Sequence, residues 1–400
     1  MKILIICELP EFALDELHSL SSNVRYEPEM RPEELRDAIA GASVLVVGNQ
    51  RVSPEVVERG DALQMIVRAG PGPGEIALAE ASTHGIFVCH CPNQHAVAAA
   101  ELALGLLLAL DRQVVENAVA LRESRWIRAN LEEARGLAGR SLGILGYGSV
   151  GEQLAQRARA FGMRVLAWCQ TVTPETPPAA DVRFCNWPRE LARESDFVVV
   201  CPLNTRIESS HLVDGEFLEN MRDDARLVHI GSPGTIDEAA LLEAIQERGL
   251  RVALDVPGPE STGDRGRFRC RLCELPGVIG TQNIRAHTEQ ARQATAAEVV
   301  RIVRAFLISG QALHCLNLLE HSPATWQLVL RVQDAVGVMA AILEAIRADG
   351  INAEEITSRL FLGGRAAWCT VALDERPSTD ALEAIRALKN VLYLQVRAVV

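Results

Sequence analysis

The chain has 400 residues, 48% of them hydrophobic and 23% charged, with a formal net charge of -12. That length exceeds what one compact core holds, so two to three domains are expected, and the acidic balance excludes nucleic acid as a partner because phosphate binding needs a basic face. The apolar run at 102–110, closed off by Glu101 and Asp111, is far short of the ~20 residues of a membrane span, so no membrane partner is expected.

The opening segment MKILIICELP reads as a first strand and its turn rather than a secretory leader, which makes the expected location cytoplasmic and the ten cysteines reduced thiols. From there to about residue 95 short apolar runs alternate with amphipathic stretches. The pattern predicts strands over 2–7, 43–47, 65–69 and 86–91 and helices over 11–19, 32–40 and 53–59, the last opening on the Ser53-Pro54 pair suited to a helix start. The strand at 65–69 runs into Gly70-Pro71-Gly72-Pro73-Gly74, a stiff loop with few side chains that suits the wall of a small-ligand site. The strand at 86–91 runs into Pro92-Asn93-Gln94-His95. A long helix is predicted over 96–121; its first half is apolar on nearly all sides, so it is buried in a core or against a second subunit. A polar connector over 123–140 carries Trp126.

LGILGYGSVG at 142–151 organises the rest. A buried-strand pattern ends at Gly146, and Gly148 and Gly151 complete G-x-G-x-x-G ahead of a helical stretch over 152–161. This order brings backbone N–H groups and a helix N-terminus up to a pyrophosphate. Strands follow over 165–168, ending at Cys169; over 196–201, ending before Pro202; and over 227–230, 251–256 and 278–280. A helix at 238–248 is capped by Thr235 or Asp237, and another spans 291–306. After a connector at 311–325 the pattern changes to strand, helix, strand, strand, helix, strand over 326–397, the ferredoxin-like order. The expected fold class is therefore α/β: two doubly wound Rossmann-like domains and a C-terminal ferredoxin-like domain. Cys89-His90-Cys91 and Cys270-x-x-Cys273 lack the tight-knuckle geometry of structural zinc sites, and alternation along a strand sends Cys89 and Cys91 away from His90. No metal is expected.

RAGPGPGEI (68–76), PNQHAVAAAELALGLLLAL (92–110), LGILGYGSVG (142–151), AFGMRV (160–165), SDFVVVCPLN (195–204), GTIDEAALLEAI (234–245), ALDVPGPE (253–260) and AHTEQA (286–291) together resemble the D-2-hydroxyacid dehydrogenases of the phosphoglycerate dehydrogenase type. DAVGVMAAILEAI (334–346) with GIN (350–352) resembles an ACT domain. The resemblance implies a substrate-binding domain over 1–95 and 285–315, a dinucleotide-binding domain over 96–284 and an ACT-like regulatory domain over 326–400. It implies NAD as cofactor, with NADP open, and a small 2-hydroxy or 2-oxo acid as substrate. It also implies an amino-acid effector at the ACT domain and a homodimer or higher homo-oligomer built on the 96–121 helix. Gly146, Gly148, Ser149, Val150, Gly151, Cys169, Pro202 and Asp255 fall on cofactor-binding positions.

The family's catalytic set is an arginine that clamps the substrate carboxylate, a histidine that carries the proton, and a glutamate that tunes the histidine. The glutamate matches Glu260, but the arginine falls on Ser232 and the histidine on Asn283. The carboxylate that binds the ribose hydroxyls falls on Cys169. Serine cannot form a bidentate pair with a carboxylate, and asparagine cannot exchange a proton near neutral pH. His95, His229 and His287 are replacement candidates for the proton carrier, His95 first, and Arg68 and Arg285 for the cation. Asn352 matches an effector-contacting ACT position, whereas Asp334 and Val336 depart from the usual pattern. Two expectations stand open: an oxidoreductase with its standard activity impaired and its proton carrier relocated, or a catalytically silent dimer that senses a nucleotide or amino acid.

Overall fold

The computed structural model describes residues 1–127, 134–171, 181–202, 211–255, 269–319 and 321–399. These form two compact units, Met1–Asn317 and Leu318–Val400. The first unit opens with β1 (Lys2–Ile5), α1 (Glu11–Leu20), β2 (Asn23–Tyr26), α2 (Pro32–Ala38), β3 (Val44–Val47), α3 (Pro54–Arg59), β4 (Met65–Arg68), α4 (Leu78–Thr83) and β5 (Phe87–His90). The strands pair in parallel in the order β2-β1-β3-β4-β5. Alternation along each strand divides the apolar residues between two cores: Ile3, Ile5, Val44, Val46 and Val67 face one, and Leu4, Leu45, Val47 and Ile66 face the other. Such near-continuous apolar runs are what a sheet covered by helices on both faces requires.

The predicted helix over 96–121 is two helices, α5 (Ala96–Arg112) and α6 (Val114–Arg122). Gln113 between them has φ 51° and ψ 44°, a left-handed backbone that stops one helix and redirects the chain into the next. Of the two burial options for this segment, the structure shows the core: Ala99, Ala103, Leu107 and Leu110 pack with Leu142, Ile144 and Val199. A second sheet follows, with β6 (Ser141–Leu145), α7 (Ser149–Ala160), β7 (Arg164–Trp168), β8 (Arg183–Phe184), α8 (Pro188–Glu194), β9 (Phe197–Val200), α9 (Gly215–Asn220), β10 (Arg226–His229), α10 (Glu238–Arg248), β11 (Arg251–Leu254) and β12 (Val278–Gly280). Its order is β12-β11-β10-β9-β6-β7-β8. The chain moves outward from β6 in one direction and then from β9 in the other, so a crevice opens at the carboxyl ends of β6 and β9, where α/β sheets bind ligands. α11 (Glu289–Ser309) then returns to the first sheet, burying Ala296, Val299 and Val303 beside Ile3 and Val67.

Of the two residues expected to cap α10, Asp237 does so, its Oδ1 accepting N–H bonds from Ala239 at 2.9 Å and Ala240 at 3.1 Å. Asp237→Ala is expected to lower the unfolding free energy by about 1 kcal/mol, measurable as a shift in urea midpoint with an unchanged slope.

The second unit comprises β13 (Trp326–Gln333), α12 (Val338–Ala348), β14 (Ala353–Leu360), β15 (Ala366–Leu373), α13 (Thr379–Ala387) and β16 (Val391–Ala398). All its strand pairs are antiparallel, in the order β14-β15-β13-β16. Ile342, Ile346 and Ile385 of the helices pack on Leu328, Leu330 and Val371. The α/β fold class expected from the sequence is the one observed, with the helix break at Gln113 as the main correction.

Candidate functional site

The glycine turn after β6 has the shape its spacing predicts. Gly146 takes φ 99°, closed to L side chains without strain, and its N–H donates to the Trp168 carbonyl at 2.9 Å. A Cβ on Gly151 would lie 2.9 Å from the Gly146 carbonyl oxygen, so this first turn of α7 packs against the loop backbone only as glycine. At Gly148 nothing among the described residues lies within 4 Å of a Cβ position. Gly148 is also the N-cap residue of α7, with no side chain capping the helix. Ser149, Val150 and Gly151 therefore begin a helix whose first N–H groups have no partners within it, beside open space. These residues fit the pyrophosphate of a dinucleotide. Pro202 follows the buried Cys201 at the end of the neighbouring strand.

At the end of β7, where a carboxylate would receive ribose hydroxyls, stands Cys169, half-buried, with its Sγ 3.4 Å from the Thr171 hydroxyl. A thiol is a weak donor and acceptor. Cys169→Asp is expected to tighten NADH binding by about tenfold through a charge-assisted pair with the ribose, read by fluorescence titration.

Asp255, at the end of β11, is wholly buried. It accepts the Thr281 hydroxyl at 2.7 Å, the Ile284 N–H at 2.9 Å and the Arg285 N–H at 3.2 Å. Its carboxylate thus shapes the turn after β12, and its backbone carbonyl takes the Asn283 N–H at 2.6 Å. Asn283 itself is exposed, with φ 53°. The same turn delivers Arg285: Nη1 lies 3.8 Å from Asp255 Oδ2 and 3.5 Å from the Gly231 carbonyl, next to the half-buried Ser232. A guanidinium thus stands beside the position where sequence matching places serine.

Two imidazoles feel that charge. His229, at the end of β10, is buried, and its pKa falls to about 4, through burial first and the Arg285 charge second. Its Nε2 has no hydrogen-bond partner among the described residues and would lie 3.2 Å from a Cβ on Gly231. His95 occupies the N-cap position of α5 and is half-buried. Burial, and then Arg285, hold it below the ordinary imidazole range. Both are neutral near pH 7. The Arg285 charge, set beside Asp255, thus adds to burial in favouring the neutral form of both His229 and His95.

The other candidates lie elsewhere. Arg68 turns back into its own loop, donating to the Pro71 carbonyl, to the Gly72 carbonyl at 3.4 Å and to Asn49 Oδ1 at 3.1 Å. His287 is exposed, its N–H closing a turn onto the Ile284 carbonyl. Glu260 lies outside the described residues. In the second unit Asn352 bonds Glu354 and Asp374, at 2.8 and 3.0 Å. Among the described residues no three His, Cys, Asp or Glu side chains converge as metal ligands. The Asp255-centred turn was missed at the sequence level, since it joins groups 26 to 30 residues apart.

Residues 104–284 match the family described as D-isomer specific 2-hydroxyacid dehydrogenase, NAD binding domain. The chain is 34% identical to a hydroxypyruvate reductase of Thermotoga maritima over 274 residues, 68% of this chain and 87% of that one. It is 32% identical to a D-3-phosphoglycerate dehydrogenase of Methanocaldococcus jannaschii over 321 residues, 80% of this chain, and spans 60% of that protein's length. A solved structure of a Thermus thermophilus protein superposes with TM-score 0.66 at 30% identity, covering 79% of this chain and all of that one. The chain belongs to the D-isomer specific 2-hydroxyacid dehydrogenase family. NAD, the expected cofactor, is the one for which the matching domain is named.

Proposed function

We propose that this chain is an NAD-dependent oxidoreductase of a small 2-hydroxy or 2-oxo acid, of the phosphoglycerate dehydrogenase or hydroxypyruvate reductase kind. In this reading Arg285 holds the substrate carboxylate and His95 carries the proton, the tasks that Ser232 and Asn283 cannot perform. The observation that carries it is the guanidinium of Arg285, set by Asp255 and the Gly231 carbonyl and close enough to depress both His95 and His229. Those two contacts use Nη1 alone, so among the described residues Nε and Nη2 remain for a planar anion.

The Gly146–Gly151 turn would hold the pyrophosphate, and the dinucleotide, when bound, would supply the hydride acceptor or donor. Arg285 pairs with the carboxylate and draws electron density from the adjacent C2 oxygen as charge grows there. In oxidation, neutral His95 takes the hydroxyl proton; in reduction, protonated His95 returns it. Burial and Arg285 keep His95 mainly neutral, the form that accepts the hydroxyl proton. Turnover is expected to be slow beside a site with its full catalytic set, since the clamp and the proton carrier act from relocated positions and small misplacements of reacting groups are costly.

The C-terminal unit, with its β-α-β-β-α-β order, fits an ACT-like module that binds an amino acid or pairs with a second copy. Val97 of α5 and Val114, Val115, Val119 and Leu121 of α6 are exposed apolar residues, which supports a homodimer built on this segment. The second reading, a silent nucleotide- or amino-acid-sensing dimer, is favoured by the joint replacement at Ser232, Asn283 and Cys169. NADH oxidation measured across a panel of 2-oxo acids, hydroxypyruvate included, separates the two. Turnover supports the enzyme, and NADH binding without turnover on any of them supports the sensor.

A further inference from the structure

The Gly70–Gly74 loop, whose sequence suits the wall of a small-ligand site, is held by several hydrogen bonds. The Cys91 N–H donates to the Gly70 carbonyl at 3.0 Å, Arg68 donates to the Pro71 and Gly72 carbonyls, and the Gly72 N–H donates to His90 Nδ1 at 3.0 Å. Only the last runs through a group that titrates near neutrality. His90 ends β5 in register with Arg68 of β4.

Its ring also sits edge-on to His314, centroids 6.2 Å apart. The His90 N–H donates to the His314 carbonyl at 3.2 Å. His314 Nε2 in turn lies 3.1 Å from Glu298 Oε1 and 2.7 Å from Arg301 Nη2. The groups facing His90 are therefore Arg68 from β4, His314 from the segment after α11, and Glu298 with Arg301 from α11.

We propose that His90 is a positioning residue: as neutral imidazole it latches the Gly70–Gly74 loop through the Gly72 amide, and protonation opens the latch. An imidazole that accepts at Nδ1 carries its proton on Nε2. Adding a second proton places a donor against the Gly72 N–H, so the bond is lost, and it sets a new cation beside Arg68. Burial, then His314 and Arg68, favour the neutral form, with Glu298 opposing them more weakly. A base whose pKa is lowered by folding holds its contact above the ordinary imidazole value and loses it as pH falls through the lowered one. The latch is thus closed at neutral pH and opens on acidification. Only its consequence for substrate rests on the proposed function.

Hydrogen exchange of the peptide spanning 70–76 in the ligand-free full chain, at about pH 7.5 and about pH 5 and corrected for intrinsic rates, tests the latch without any turnover. The wild type is expected to lose about three- to tenfold in protection on acidification. His90→Asn, whose Oδ1 accepts without titrating, should keep its protection at both values. His90→Ala should lack it at both. Unchanged exchange in a β9 peptide controls for folding. An equal acid response in His90→Asn and wild type overturns the proposal, and so does a wild type that does not respond. Because no substrate is present, inactivity toward 2-oxo acids would leave this result standing.

Discussion

Arg285→Ala will lower kcat/KM for reduction of a 2-oxo acid by roughly 10²–10³-fold, the usual effect of removing one preorganised donor from a developing oxyanion. NADH affinity should stay within about twofold of wild type, because the glycine turn proposed for the pyrophosphate lies on another loop. Arg285→Lys should recover only part of the loss, since an ammonium keeps the charge but not the planar fork. The Asp255 carboxylate stands 3.8 Å from the Arg285 guanidinium and accepts the Arg285 N–H, so the residue is aimed by its backbone as well as by its charge. Steady-state rates for the three proteins, with NADH fluorescence titrations alongside, check this. An Arg285→Ala enzyme with wild-type kcat/KM would place the anion grip elsewhere.

His95→Ala is expected to lower kcat by roughly 10²–10⁴, and the pH profile identifies the group. His95 is held below the ordinary imidazole range by burial and by Arg285, so its acid form is scarce at neutral pH. Reduction, which consumes that proton, should quicken as pH falls through the ordinary range and level off below the lowered pKa. Oxidation, which needs the neutral ring, should be level near pH 7 and decline on acidification. In His95→Gln both limbs should flatten. Profiles that keep their limbs in His95→Gln would assign the proton to another group, with His229 next in place.

Much of the architecture could be read from alternation alone. Leu142, Ile144 and Leu145 ahead of Gly146 announce a buried strand running into a turn, and the structure has both. β2 escaped prediction because Asn23–Tyr26 lies at a sheet edge with most of its side chains exposed, so it carries no apolar run. The break at Gln113 escaped because a single left-handed residue leaves no trace in hydrophobic periodicity. The candidate site was legible as a set of losses at Ser232 and Asn283 and as a short list of substitutes. The pairing of Arg285 with Asp255 was not legible, because it is made across 30 residues by a turn. His90 was read as a strand residue between two thiols; its bond to the Gly72 amide depends on how the loop folds back.

Arg285 lies four residues ahead of α11, in the stretch by which the chain leaves the second sheet and crosses to the first. A clamp seated on Ser232 would belong wholly to the nucleotide-binding half. Seated on Arg285, the proposed grip and the crossover are one piece of backbone, so the contacts that aim the guanidinium also fix where the chain enters α11.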